Sequence, residues 1–420
     1  MRSQVANRFV RHLAQGDASV IGLQLYANAA GNARVSVRNS GGAVQMRNIS
    51  MTSGEEKNIE GYNLNHKDVL DVSGDNITVA LTTAQHEPKR FSVAPTATNL
   101  TNRAKVAGSN TVTGAFTDGQ YIYTLDGTAT PKINRIPLSN WASGTMDTWT
   151  IPGIATPLSL AYDGKYVYIG TNETTGKIWR ADLSQWGTGT WSSIAPDASG
   201  GPLWCMVVVG KYLYAPTKIN TAANGRVVQV DLDVFTNGGC TVVDFYNAGG
   251  NPSAVSFGAI TACTRYLYIS SVANGVISRI DTTNFAVAGY SSLSITSRTA
   301  AGPYSGLSCD DKYIYVSMQF SNSYLVRILI SDFATFTQFS ITGRIYKAPV
   351  SDGKWVHWFD QAGSYSAAIL RESAWASGDL ITVANGNTTD AQDNWAVFDG
   401  QAVYQIKGGT ATTNNNIKIG

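Results

Sequence analysis

Apolar and polar positions alternate along most of this chain, and from about residue 107 the alternation itself repeats. The segment Leu158 to Tyr162 is apolar, Asp163-Gly164 breaks it, and Tyr166, Val167, Tyr168 and Ile169 follow as an aromatic and aliphatic strand. Asp118-Gly119-Gln120-Tyr121-Ile122-Tyr123 has the same form, as do Gly210-Lys211-Tyr212-Leu213-Tyr214 and Arg265-Tyr266-Leu267-Tyr268. So do Asp310-Asp311-Lys312-Tyr313-Ile314-Tyr315, Asp352-Gly353-Lys354-Trp355-Val356-His357 and Asp399-Gly400-Gln401-Ala402-Val403-Tyr404. The positions 121, 166, 212, 266, 313, 355 and 402 are 45, 46, 54, 47, 42 and 47 residues apart. A polar loop leads to a third strand, as in Lys177-Ile178-Trp179-Arg180. A second aromatic series follows it: Trp141, Trp186, Phe235, Phe285, Phe333 and Trp375. A fourth strand, such as Thr190 to Ile194, closes the unit. The Asp-Gly pair suits a two-residue hairpin turn in which both residues tolerate positive φ.

Four antiparallel strands in about 45 residues, repeated seven times, predict a seven-bladed β-propeller. One such sheet cannot cover both of its faces, whereas a ring of stacked sheets can. The last unit has only one strand after Val403, near Asn416 to Ile419. A segment within Phe91 to Val106 is therefore expected to supply its fourth strand and hide an open edge.

Residues before about 90 lack the repeat and contain no Trp. Period-two runs at Val20–Tyr26, Ala33–Arg38, Val44–Ile49, Val69–Val72 and Ile77–Leu81 are separated by Gly/Asn/Ser/Asp clusters. They predict a small β-sandwich. The reading is an all-β chain with four parts: an N-terminal arm (1–19), a β-sandwich (20–84), a linker and ring-closing strand (85–106), and the propeller (107–420).

Composition narrows the classes. The 420 residues carry 31 Lys+Arg against 29 Asp+Glu, so no excess charge marks a nucleic acid or anionic membrane partner. Hydrophobic content of 43% is enough for packed cores. No apolar run reaches the roughly 18 residues of a membrane helix. Met1 to Gln15 has no apolar stretch behind its arginines, which argues against a secretory signal. Cys205, Cys240, Cys263 and Cys309 show no metal-ligand spacing and read as buried free thiols, in keeping with assembly in a reducing cytosol. His12, His66, His86 and His357 are scattered over the chain, so neither a metal centre nor a cofactor is expected.

The N-terminal stretch resembles a known family. It runs Ala6-Asn7-Arg8-Phe9, then Val20-Ile21-Gly22-Leu23 into a strand ending near Asn28, a Gly-rich hairpin, and Lys67-Asp68-Val69-Leu70-Asp71-Val72. It is similar to the small β-sandwich modules of tailed-bacteriophage virion proteins, which attach to capsid, neck or tail and carry larger C-terminal domains. Relatives tend to read Gly-Asp-x-Leu where this chain has Asn65-His66-Lys67 before the Asp. The resemblance covers about 75 residues. It implies a virion location after assembly in the host cytoplasm, other virion proteins as partners, a homo-oligomer, and particle attachment through Arg2, Arg8, Phe9 and Arg11.

The repeated Asp-Gly pairs read as turn residues and the repeated Tyr and Trp as packing between blades. Arg135, Arg180, Arg279 and Arg327 each precede an aromatic of the second series by six residues. They resemble the arginine clusters of sialidases only in residue type. Repeat-equivalent positions place them on separate blades, with stems packed and heads solvated. No nucleophile elbow or phosphate loop appears. Two carboxylates could meet from distant blades, and the candidates for such a pair are Glu173, Glu372 and Asp379.

Loops between second and third strands share one face of the ring and vary most: Asp126–Pro131, Asn172–Gly176, Lys218–Gly225, Gln319–Tyr324 and Gln361–Tyr365. Their polar and aromatic residues suit recognition of a glycan or protein surface. The candidates are Asn172, Glu173, Asn220, Asn224, Gln319, Asn322, Tyr324 and Tyr365. The resulting expectation is a non-enzymatic virion structural protein of decoration, spike or fibre-like type, whose propeller makes host-surface or particle contacts. The alternatives are a glycan-binding lectin and a polysaccharide-cleaving enzyme.

Overall fold

Segments rich in Tyr, Val, Ile and Thr suit a pleated sheet covered on both faces. In the computed structural model they form seven four-stranded antiparallel sheets, the blades of a β-propeller. The described residues are 100–104, 112–127, 130–154, 156–198, 200–217, 225–245, 257–263, 265–271, 275–295, 304–310, 312–319, 322–344, 346–360, 365–384, 394–399, 402–407 and 415–419, together with the backbone of the strands before residue 86. The chain divides into two units, one containing Met1–Ser92 and the other Val93–Tyr162, Val167–Val207 and Leu213–Gly420.

The smaller unit contains two antiparallel sheets. One joins Arg2–Ala6, Ile77–Gln85, Ala18–Ala27 and Glu56–Ile59, with Asn63–Leu64 also on Ala18–Ala27. The other joins Phe9–Leu13, Val69–Gly74, Gly31–Arg38 and Val44–Met51. The five expected runs are all strands. The expected arm differs, because Arg2–Ala6 pairs with residues 79–83 and Phe9–Leu13 with residues 69–73.

In the ring, the second strands of blades one to seven are Tyr121–Asp126, Tyr166–Thr171, Tyr212–Pro216, Tyr266–Ser271, Tyr313–Gln319, Trp355–Asp360 and Val403–Lys407. Each pairs with a first strand that adjoins the axis. Four of the first strands carry a register shift at the same place, between Val112/Gly114, Pro157/Ser159, Phe257/Ala259 and Tyr304/Gly306, and blade six carries one further along, between Lys347/Val350. A repeated bulge bends the inner strand and increases its twist. At Gly114 a Cβ would stand 2.5 Å from Leu160 Cβ of blade two, so only glycine admits this approach.

Blade seven draws on distant parts of the chain. Leu100–Ala104 pairs antiparallel with Asn415–Ile419, which pairs with Val403–Lys407, which pairs with Asn394–Phe398. The strand preceding blade one is thus the outer strand of blade seven. Its Arg103 is buried, and Nη1 donates to Trp141 O in blade one at 2.6 Å. Pairing and side chain together tie the two ends of the ring.

The turn between first and second strands differs in detail from the sequence expectation. Asp118 N–H donates to Tyr121 O (3.3 Å), so Gly119 and Gln120 are the two turn residues. Gly119, Gly164 and Gly353 have φ of 82°, 99° and 89°, whereas no Asp among the described residues has positive φ. The aspartate works through its side chain instead. Asp118 Oδ1 accepts from the N–H groups of Gln120 and Tyr121, both at 2.8 Å, and Oδ2 accepts from Tyr123 OH at 3.0 Å. Asp310 and Asp399 hold Tyr315 and Tyr404 in the same way, at 2.7 and 2.8 Å.

Blades three and four depart from this rule and show what it does. Val209 stands at the Asp position of blade three, and Tyr214 OH accepts from Gln229 Nε2 instead, at 2.9 Å. Cys263 stands there in blade four, and Tyr268 OH is buried with no hydrogen-bond partner among the described residues.

Cysteine pairing is a second correction. Cys263 and Cys309 are joined in a disulfide between the first strands of blades four and five, with Cα atoms 6.3 Å apart. Only Cys205 and Cys240 are free thiols.

Candidate functional site

The recurrent chemistry of the ring lies between its blades. The third tyrosine-series residue (Tyr123 in blade one) meets the second aromatic series of the next blade. Tyr123 packs on Trp186, Tyr168 on Phe235, Tyr214 on Phe285, Tyr268 on Phe333 and Tyr315 on Trp375, with ring centroids 5.3–5.9 Å apart. Tyr404 of blade seven packs on Trp141 of blade one at 4.8 Å. Such pairs add about 0.5–1.5 kcal/mol each beyond their burial.

Arginines complete these junctions, and this corrects the expectation of solvated heads. Arg135 lies between the rings of Tyr121 and Trp186, at 4.8 and 4.6 Å. Arg279 lies between Tyr266 and Phe333 at 4.8 and 4.5 Å, and Arg327 between Tyr313 and Trp375 at 4.6 and 4.8 Å. Arg180 sits 4.0 Å over Phe235. Each guanidinium therefore touches the next blade through a cation–π contact, a geometry worth about 0.5–2 kcal/mol. Arg327 also donates to the carbonyls of Arg371 and Ser373 in blade six.

Six aromatics serve six junctions. The seventh junction, between blades six and seven, receives none from the repeat among the described residues, because the outer strand of blade seven comes from residues 100–104 and is not joined to the third strand by the connection that carries the aromatic in other blades. There the Tyr position is His357, and the residue opposite it, an arginine in blades one, four and five, is Ala368. His357 Nε2 lies 3.1 Å from Asp352 Oδ2, both side chains being buried.

Register shows which side chains face this junction. Residues directly opposite one another share a sheet face. His357 and Phe359 are on the face that Tyr residues turn towards the next blade, and Ala368 and Ser366 are opposite them. From blade seven, Tyr404 faces blade one, so Val403, Gln405 and Lys407 face blade six. His357, Ser366, Gln405 and Lys407 are at most 1% exposed. Burial drives the Lys407 ammonium down to about 7, opposed by the field of Asp360. Asp360 also lies in the field of Arg344, whose guanidinium stacks 3.6 Å over Tyr365 and whose Nη1 donates to Tyr346 OH at 3.2 Å.

No family model and no curated protein matches the chain. Solved structures do resemble it. The RRP9 WD40 repeats align with a TM-score of 0.58 at 9% identity, over 78% of this chain and 98% of that one. The WD40 β-propeller domain of Doa1 gives 0.53 at 9% identity, over 76% and 96%. Hydrazine synthase of Kuenenia stuttgartiensis gives 0.57 at 11% identity, over 75% and 96%. These likenesses establish the propeller fold alone.

Within the propeller, the sequence candidates fall on different blades. Asn172 is exposed and Glu173 pairs with Lys177 at 2.7 Å, both in blade two. Gln319, Asn322 and Tyr324 lie in paired strands of blade five, not in a loop: Met318 is opposite Tyr324, and Gln319 is opposite Ser323. Tyr324 packs against the core between blades four and five. Among the described candidates, Tyr365 joins the charged group around Arg344. Asn220, Asn224 and Arg8 lie outside the described residues, as do the side chains of Gln319, Asn322, Arg2, Phe9 and Arg11.

The three carboxylate candidates have structural partners. Glu372 pairs with Lys312 across blades at 2.6 Å, and Asp379 Oδ2 accepts from Ala376 N–H at 2.9 Å. Glu173 is on a connection between second and third strands, and Glu372 on one between third and fourth, so they lie on opposite faces of the ring.

Sequence reading missed Asp360, Lys407 and Arg344. A signal existed for two of them. The residue five places after positions 121, 166, 212, 266, 313, 355 and 402 reads Asp126, Thr171, Thr217, Ser271, Met318, Asp360 and Lys407, and lysine appears there once.

Proposed function

We propose that this protein is a non-enzymatic structural component of a tailed-phage virion, anchored by its N-terminal unit and presenting the propeller to a host or particle surface. The observation that carries the scaffold reading is the use made of the repeat's reactive residue types. Aspartates hold turns, arginines bridge blades, and Glu173, Glu372 and Asp379 each have a structural bond. What then varies from blade to blade is the loop face, where the polar residues and the Arg344–Tyr365 stack are offered to a partner. A rigid scaffold with variable loops suits recognition.

The virion part rests on the resemblance of residues 6–72, and two antiparallel sheets before residue 86 support a sandwich-type anchor. Several copies on one particle would multiply weak contacts.

The test is quantitative mass spectrometry of gradient-purified phage particles assembled with the full chain or with residues 1–84 removed. The full chain is expected in stoichiometric copy and the truncated chain absent. Absence of the full chain overturns the reading. Release of oligosaccharide from host polysaccharide by the purified protein overturns its non-enzymatic part.

A further inference from the structure

We propose that the ring has a built-in seam, opening first and reversibly along the junction of blades six and seven. Three independent observations support it. The repeat supplies this junction with no aromatic of the second series, since blade seven takes its outer strand from residues 100–104. The arginine that spans four of the other junctions is replaced by Ala368. And the facing surfaces bury His357, Ser366, Gln405 and Lys407 beside Phe359 and Val403, so polar side chains take up part of the space that aromatics and an arginine fill between blades five and six.

The contrast with the preceding junction is direct. Between blades five and six, Tyr315, Arg327 and Trp375 interlock, and Trp358 packs on Trp375 at 5.6 Å. Ser317 there holds the place that Phe359 holds in blade six. Ser317 Oγ and Ser366 Oγ are both buried without a hydrogen-bond partner among the described residues, so they mark the two junctions with the same chemistry.

The seam also responds to protons. In the closed ring the Lys407 ammonium is held down to about 7, against the ordinary 10.5 of a solvated lysine. Asp360 of blade six favours the charged form, and Arg344 lies beside Asp360. At the other end of the same strand, His357 is bonded to Asp352. Opening returns the amine to water and takes up a proton between pH 7 and 10.5. Opening is therefore most frequent near pH 7 and below, and is suppressed as pH rises through that window.

The experiment is native-state thiol labelling of the full chain with Cys205→Ser and Cys240→Ser, comparing Ser366→Cys with Ser317→Cys. Because both thiols react by the same chemistry, the ratio of their rates cancels its pH dependence. Ser366→Cys is expected to label about tenfold faster at pH 7, the effect of about 1.4 kcal/mol. The ratio should shrink towards pH 10, and Lys407→Met should remove that change. Rates equal within about threefold at pH 7, or the reverse order, overturn the seam. A pH-independent ratio in the lysine-containing chain overturns the proton link. If either serine variant fails to fold, Ala368→Cys against Ser278→Cys, which is buried in blade four, makes the same comparison.

Discussion

Blades five and six meet through an aromatic–cation–aromatic stack, whereas blades six and seven meet through Phe359 and Val403 beside histidine, glutamine, serine and lysine. Both junctions are buried, so burial alone does not distinguish them. The difference follows from topology. A second-series aromatic sits on the connection between third and fourth strands, and blade seven has no such connection because its fourth strand comes from before blade one. Closing the ring with a borrowed strand thus removes one clamp from the set. Arg103 on that strand compensates at the junction of blades seven and one, where it bonds Trp141 O. No equivalent bond from that strand is directed at blade six among the described residues. A propeller closed in this way is evenly repeated in backbone and uneven in its joints.

Removing the strand at 100–104 should have the largest effect. Deleting residues 91–106 should abolish cooperative melting, since it exposes the edge at 415–419 and removes Arg103. Unchanged melting would separate closure from stability. Trp375→Ala should cost about 3–5 kcal/mol in urea denaturation, as a large buried aromatic lost from a clamped junction. Reducing the disulfide between Cys263 and Cys309 should cost about 2–4 kcal/mol and leave the seam-to-clamp labelling ratio unchanged.

At the seam the sign reverses. Lys407→Met should stabilise the ring by about 1–3 kcal/mol at pH 7, because a buried amine that prefers to be neutral must there be part charged or lose its proton. The gain should fall towards zero by about pH 10.5, since the unfolded chain holds the proton up to that pH and wild-type stability rises across the window. A gain that grows with pH would contradict the assignment. The smallest effect is a matched pair. Tyr315→Phe should cost about 1–3 kcal/mol through loss of its bond to Asp310, and Tyr268→Phe almost nothing, as its hydroxyl has no such acceptor.

Much of this architecture is legible in the amino-acid order. Seven units, four strands in each, the outer strand of the last blade and the packing role of both aromatic series all follow from spacing at positions such as Tyr166 and Trp186. The reason is that hairpins and blade packing repeat locally, and periodicity reports local rules well. The joints are harder to read. The place of Arg327 depends on Tyr313 in its own blade and Trp375 in the next, a three-body contact that no single repeat contains. Cys263 and Cys309 are 46 residues apart, about one repeat, which hints at neighbouring blades but does not fix that their sulfurs meet. Asp310 is recognisable as a turn residue, yet its bond to Tyr315 is not, because an aspartate also suits a turn made without its side chain. Of the described loop candidates, Tyr365 reaches the charged group. Loop exposure predicts where residues sit, not which of them converge.

Contacts between specific side chains, over and above burial, couple one blade to the next. A double-mutant cycle with Arg327→Met and Trp375→Leu, followed by urea denaturation, tests it most directly. The account predicts a coupling of about 1 kcal/mol between the two substitutions, in the range of a partly buried cation–π pair. Effects that add to within about 0.3 kcal/mol would show that the guanidinium and the indole stabilise the ring independently, and would contradict the clamp.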